Sequence, residues 1–195
     1  MRTGASLESA LVNDQLRALI EEAERQSTEV SAILAGIDQD RFARRPAENR
    51  WSAGEQIAHV PITDRPYLAV IAAALAAGEP ARPDQRFRGG KVGNWFAGMM
   101  EPPPKRRMKT PVKLEPPPAL DRDAVIRDFA ACRAEMVETL RSADGVDLDR
   151  CTIRSPFLWL LKMPVFSACQ VLLAHGRRHI WLARETLETI SREGA

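Results

Sequence analysis

The sequence predicts an all-α protein, an antiparallel four-helix bundle, on three observations. Apolar residues recur at intervals of three and four through four long stretches. Helix-start signals precede three of those stretches, and no stretch sustains the period-two alternation of a half-buried strand, so no sheet is expected. A chain of 195 residues is long enough for one domain with a substantial core, and residues 1–195 read as a single unit.

The first helix is expected from about Asn13 to Gly36, with Leu16, Leu19, Ile20, Ala23, Val30, Ile33 and Leu34 on one side and Glu and Arg on the other. Gly36 is the end signal, and Asp38–Arg50, with Pro46 inside it, reads as a surface connection. Ser52-Ala53-Gly54-Glu55 has the form of a capping box, in which hydroxyl and carboxylate satisfy orphan amides at a helix start. The second helix runs from there through Ile57, His59, Val60, Tyr67, Leu68, Ile71 and Leu75 to Gly78-Glu79-Pro80. Pro61 and Pro66 each delete an intrahelical bond and predict a bend or interruption.

From about Gly78 to Asp121 the character changes, for most of the fourteen prolines fall between Pro80 and Pro118. This long proline-rich connection between helices two and three is either functional or loosely ordered. Trp95, Phe96, Met99 and Met100 are expected to pack over one end of the bundle, with a short helical turn around Asn94–Met100. Arg86, Arg88, Lys91, Lys105, Arg106, Arg107, Lys109 and Lys113 make the segment basic. They read as a solvated surface or as a guide bringing an anionic substrate to the bundle mouth. The third helix starts from a cap at Asp121 and ends near Asp144-Gly145, carrying Val125, Phe129, Cys132, Met136, Val137 and Leu140 on its apolar side. The apolar run Phe157–Leu161 follows the Ser155-Pro156 turn, and Pro164, at a first helical position, opens the fourth helix, which extends to about Ile190.

Composition narrows the function. The 28 basic and 26 acidic residues leave a formal charge of +2, too even to announce nucleic acid or an anionic membrane as partner. No apolar run approaches the roughly 20 residues needed to span a bilayer, and the polar N-terminus has no signal-peptide core, so a soluble cytoplasmic protein is expected. Cys132, Cys151 and Cys169 are odd in number and lack a CxxC spacing, which predicts reduced, buried thiols.

The chain has three histidines. His175 and His179 lie four residues apart and so project from one helical face, sharing the apolar stripe of Ala168, Val171, Leu172, Leu182 and Thr186. His59 sits on the second helix. A three-histidine divalent-metal site between two helices is one reading; hydrogen-bonded core histidines are the other. Glu55, one turn before His59, closes the capping box, or fixes a ring tautomer or serves as a base, which makes it the one protein residue proposed for catalysis. Trp51, Trp159 and Trp181 read as core or rim aromatics. Arg177 and Arg178 turn away from His175 and read as solvent or loop partners.

The segment Arg45–His59, with its Trp51-Ser52-Ala53-Gly54-Glu55-Gln56-Ile57-Ala58-His59, resembles the first signature of the DinB-like (DinB/YfiT-type) superfamily, W-S-x-x-E-x-x-x-H. His175-Gly176-Arg177-Arg178-His179 resembles its second, H-x-x-R-H. The resemblance covers about residues 10 to 190; Pro61, just past His59, departs from a helix former. It implies a four-helix bundle, often a homodimer, in which His59, His175 and His179 bind a divalent metal, commonly zinc or nickel. It also implies a small-molecule substrate. Relatives include transferases of low-molecular-weight thiols, a mycothiol-dependent isomerase and proteins described as metal-dependent hydrolases. The functions this leaves are a metal-dependent thiol S-transferase or hydrolase, a metal-binding module without turnover that serves in stress, and a purely structural bundle.

Overall fold

The computed structural model describes residues 13–104 and 109–193. Helix α1 spans Asp14–Leu34, where the Asn13 side chain accepts from the amides of Gln15 and Leu16. Its inward residues Leu16, Ile20, Ala23, Val30 and Leu34 keep the predicted spacing, and Gly36 at φ 75° turns the chain out of the helix.

The predicted surface connection contains a short helix, α2 (Gln39–Ala43), capped by Asp38, with Phe42 fully buried. Five residues are too few to show a period. The Phe42 ring lies where a side chain at Gly54 would otherwise stand: a Cβ there would fall 2.5 Å from the ring. Helix α3 (Ala53–Leu75) starts with both halves of the capping box, Glu55 N donating to Ser52 Oγ (3.1 Å) and Ser52 N to Glu55 Oε2 (2.8 Å). It runs through Pro61 and Pro66 without interruption. Each proline forfeits a ladder bond, but residues from Ala53 to Pro61 are all buried, and that packing overrides the local penalty.

In the proline-rich connection, α4 covers Lys91–Met100, a longer element than the expected turn. Its inward face is Gly93, Ala97 and Met100. Gly93 comes so close to α6 (Val165–Glu193) that a Cβ would lie 2.4 Å from Ser167 Cβ. Small residues therefore face in, and Trp95, expected to pack over one end of the bundle, is turned out and 64% exposed. A 3₁₀ turn follows at Val112–Leu114, burying Leu114. Helix α5 (Arg122–Ser142) is capped by Asp121, which accepts from Ala124 N at 2.7 Å.

A two-stranded antiparallel ribbon pairs β1 (Thr152–Arg154) with β2 (Lys162–Pro164), placing Ile153 opposite Met163. No sheet was expected; three-residue strands with one buried residue each are too short to show alternation. Pro164 ends β2 and immediately precedes α6 instead of opening it. Trp159, at the ribbon's tip between Leu158 and Leu160, is 73% exposed, which removes the core half of its core-or-rim reading.

The four long helices form a ring of contacts: α3 against α6 and α5, and α1 against α5 and α6. Two apolar clusters fill it, one around Leu16, Ile71, Met136 and Leu172, the other around Val30, Phe42, Ile57, Phe129 and Ile180. Between them each long helix contributes buried polar side chains: Gln26 from α1, His59 and Asp64 from α3, Arg133 from α5, and His179 from α6. Cys132, Cys151 and Cys169 are buried thiols. Among the described residues, no helix is long and apolar enough to cross a membrane.

Candidate metal centre

His59 lies just under two turns into α3, and α6 presents His175 and His179 one turn apart on its facing side. The rings converge. Centroids are 4.7 Å apart for His59 and His179, 5.3 Å for His59 and His175, and 4.5 Å for His175 and His179. One ring nitrogen from each residue lies within 4.8 Å of the other two.

The second ring nitrogen of each histidine decides what this cluster can do. His59 Nδ1 is 2.9 Å from the carbonyl oxygen of Leu114, His179 Nδ1 is 2.9 Å from Gln56 Oε1, and His175 Nδ1 is 3.3 Å from Asp64 Oδ1. All three partners are acceptors, so each Nδ1 carries a proton and Nε2 is the ring nitrogen left for a ligand. Burial, and secondarily the neighbouring His175, push the His59 pKa down to about 4. His179 lies well below its ordinary value for the same first reason, with His175, His59 and Arg178 adding to it. Imidazoles anchored through Nδ1, with Nε2 left to coordinate, are the donor set that zinc or nickel takes, so the residues fit a divalent ion.

A model of the DinB superfamily matches residues 22–183. The chain belongs to the DinB superfamily. The matched span holds all three histidines and the groups on their Nδ1 atoms. Among curated proteins and solved structures, nothing matches the chain.

Glu55 takes the capping-box half of its reading. Its carboxylate accepts from Ser52 N and is paired with Arg45, closing the capping box. The residues that orient the histidines in this superfamily member are others, not singled out by the sequence reading. Asp64 is completely buried and ion-paired with Arg133, itself 1% exposed. Arg133 Nη1 donates to Gln26 Oε1 at 3.1 Å, and Gln26 Nε2 donates to Glu22 Oε1 (2.8 Å) and the Leu173 carbonyl (2.9 Å). The available signal was a charge on an apolar stripe: Arg133 shares the face of Phe129 and Met136.

A cavity of about 760 Å³ opens beside the triad. Trp51 stands at its rim, 5.0 Å from the His59 ring centroid. Tyr67 and Ser155 share a 2.6 Å hydrogen bond on its wall, and burial raises the Tyr67 pKa, so the phenol stays protonated. Arg177 pairs with Glu22 and Glu101, as a surface partner should. Arg178 is a loop partner rather than a solvent-facing residue: it is buried, donates to the Met99 carbonyl (3.3 Å) and lines the cavity. Of the basic connection, Lys109 reaches the cavity wall; Lys105, Arg106 and Arg107 lie outside the described residues.

Proposed function

We propose that this chain is a metal-dependent enzyme built on the superfamily's antiparallel four-helix bundle, with zinc or nickel held by His59, His175 and His179. Its reaction is transfer of a low-molecular-weight thiol to a small electrophile, or hydrolysis of a small molecule. The observation that carries this reading is the acceptor on every Nδ1, which leaves Nε2 of three clustered rings to face an ion beside a cavity. Bound there, a divalent cation supplies Lewis acidity that favours the deprotonated thiol or activates water at neutral pH.

The chain's own residues do the rest. Trp51 covers one side of the triad and limits water access. The protonated Tyr67 and its partner Ser155 offer a hydroxyl pair to a polar group of the substrate, while Phe96, Val171 and Leu172 provide an apolar wall. Arg45, Arg50, Lys109 and Arg178 outnumber Glu48, Asp64 and Glu115 at the cavity, a slight positive excess that favours an anionic cosubstrate. The proposed setting is cytoplasmic, with neither nucleic acid nor membrane as partner. The proposed assembly is a homodimer, in keeping with the exposed Val92, Trp95, Leu158 and Leu160.

Metal analysis of protein purified without a histidine tag tests the site: wild type should carry about one equivalent and His175→Ala far less. Equal content in both would remove the metal reading. Loaded protein is then assayed for loss of free thiol against a panel of electrophiles and esters. Metal without turnover on any of them favours the binding module.

A further inference from the structure

The three acceptors behind the triad differ in chemistry. His59 is backed by a backbone carbonyl and His179 by an amide oxygen, both neutral. His175 faces a carboxylate, and a fully buried one. Asp64 divides its two oxygens, Oδ1 toward His175 Nδ1 and Oδ2 toward Arg133.

Arg133 is in turn held from behind. Its Nη1 donates to Gln26 Oε1, and the Gln26 amide is fixed by Glu22 and by the Leu173 carbonyl on α6. The chain His175, Asp64, Arg133, Gln26 thus ties all four long helices at the level of the rings. Stability is a poor explanation for it. Burying an ion pair costs desolvation that well-packed apolar side chains would avoid, and Arg133 Nε has no hydrogen-bond partner among the described residues. What the pair does deliver is a negative charge fixed behind one ring nitrogen.

We propose that Asp64 is a positioning residue for the metal site, holding His175 in its Nδ1–H tautomer and strengthening Nε2 as a donor, with Arg133 and Gln26 locking the carboxylate in place. This rests on the metal reading above. A carboxylate behind a ligating imidazole fixes the ring and raises its basicity, and losing such a partner costs about 10- to 100-fold in metal affinity. The peptide acceptors behind His59 and His179 orient their rings without adding charge, so His175 is the ligand whose loss of support should be felt most.

The test measures Co²⁺ affinity by chelator competition, the visible Co²⁺ spectrum, and the melting temperature of the metal-free protein. The double variant D64N/R133M removes both charges, so no buried ion is stranded. It should melt near wild type yet bind Co²⁺ about 10- to 100-fold more weakly, with shifted visible bands. A merely structural pair predicts the opposite: once stability is restored, affinity and spectrum return to wild type, and that result overturns the proposal. Should the double variant fail to fold, D64N alone reads the same quantity, because it keeps an acceptor for Nδ1 and removes the charge. Weaker binding there supports the positioning role and unchanged binding overturns it. If wild type itself binds no Co²⁺ while remaining folded, the metal reading fails, and this inference with it.

Discussion

Gly176, inside the His175–His179 turn, should be one of the least replaceable residues of the chain for a reason unrelated to backbone freedom. A Cβ at this position would lie 2.1 Å from Gln26 Oε1 and 3.0 Å from its Cδ. A side-chain tip on the surface would swing aside at little cost, but Gln26 is 1% exposed and bonded to Arg133, Glu22 and the Leu173 carbonyl. Displacing it strips a buried guanidinium of a partner, worth roughly 1.5–3 kcal/mol, and the amide bonds add about another 1 kcal/mol. Alanine's better helix propensity returns about 1 kcal/mol. The net expectation for Gly176→Ala is a loss of roughly 1.5–3 kcal/mol. Gly98 is the control: it is exposed on α4, and a Cβ there meets nothing within 4 Å. Gly98→Ala should therefore stabilise by roughly 0.5–1 kcal/mol. Urea unfolding of both variants at neutral pH, with equal m-values, makes the comparison. If Gly176→Ala stabilises the protein as much as Gly98→Ala does, the account of Gln26 as a fixed buried strut is wrong.

Acid sensitivity of the metal-free protein follows from His59. Its pKa falls from 6.5 to about 4 on folding, so the unfolded chain binds more protons between those values, and stability present above pH 6.5 is lost as the pH drops toward 4; His59 alone should account for roughly 2 kcal/mol by pH 5. Urea titrations at pH 7.5 and 5.0 should show a drop of at least that size, diminished in His59→Gln, and an undiminished drop in that variant would refute the assignment. Metal should stabilise the fold: free Zn²⁺ at 100 times its dissociation constant adds about 2.7 kcal/mol, or about 5–10 °C in Tm for a chain of this size, reversed by chelator and absent in His175→Ala. Ser52→Ala should cost about 1 kcal/mol through the lost cap, while Glu55→Gln should leave metal content unchanged, as checked by elemental analysis. Trp159→Ser, at the exposed ribbon tip, should alter monomer stability by less than about 0.5 kcal/mol; a larger loss by thermal melt would mean that the ring is covered.

The parts of this molecule that could be read without coordinates are those encoded by near neighbours. The capping box at Ser52 and Glu55, the cap at Asp121, the apolar stripes and the four-residue histidine spacing all act within one or two turns, so spacing alone reveals them. Short elements escaped: α2 and the ribbon β1–β2 have too few residues to establish a period. Trp95 is turned out because hydrophobicity predicts burial only on average, whereas Gly93 and Ala97 make the closer-packing face of α4. Asp64 and Arg133 are 69 positions apart, and nothing local in either segment announces that one will meet the other behind a histidine. Pro61 and Pro66 were weighed by local cost, which the surrounding burial of α3 outweighs.

The carbonyl of Leu114 gives the triad an unusual dependence. Two of the three rings are steered from within the helices, whereas His59 takes its orientation from a 3₁₀ turn in the connecting segment. On the proposed metal reading, ion affinity therefore has a tuning point outside the scaffold. Lengthening, nicking or resequencing that strap would slacken one imidazole while leaving helix packing intact, giving selection or an engineer a way to adjust loading without disturbing the fold.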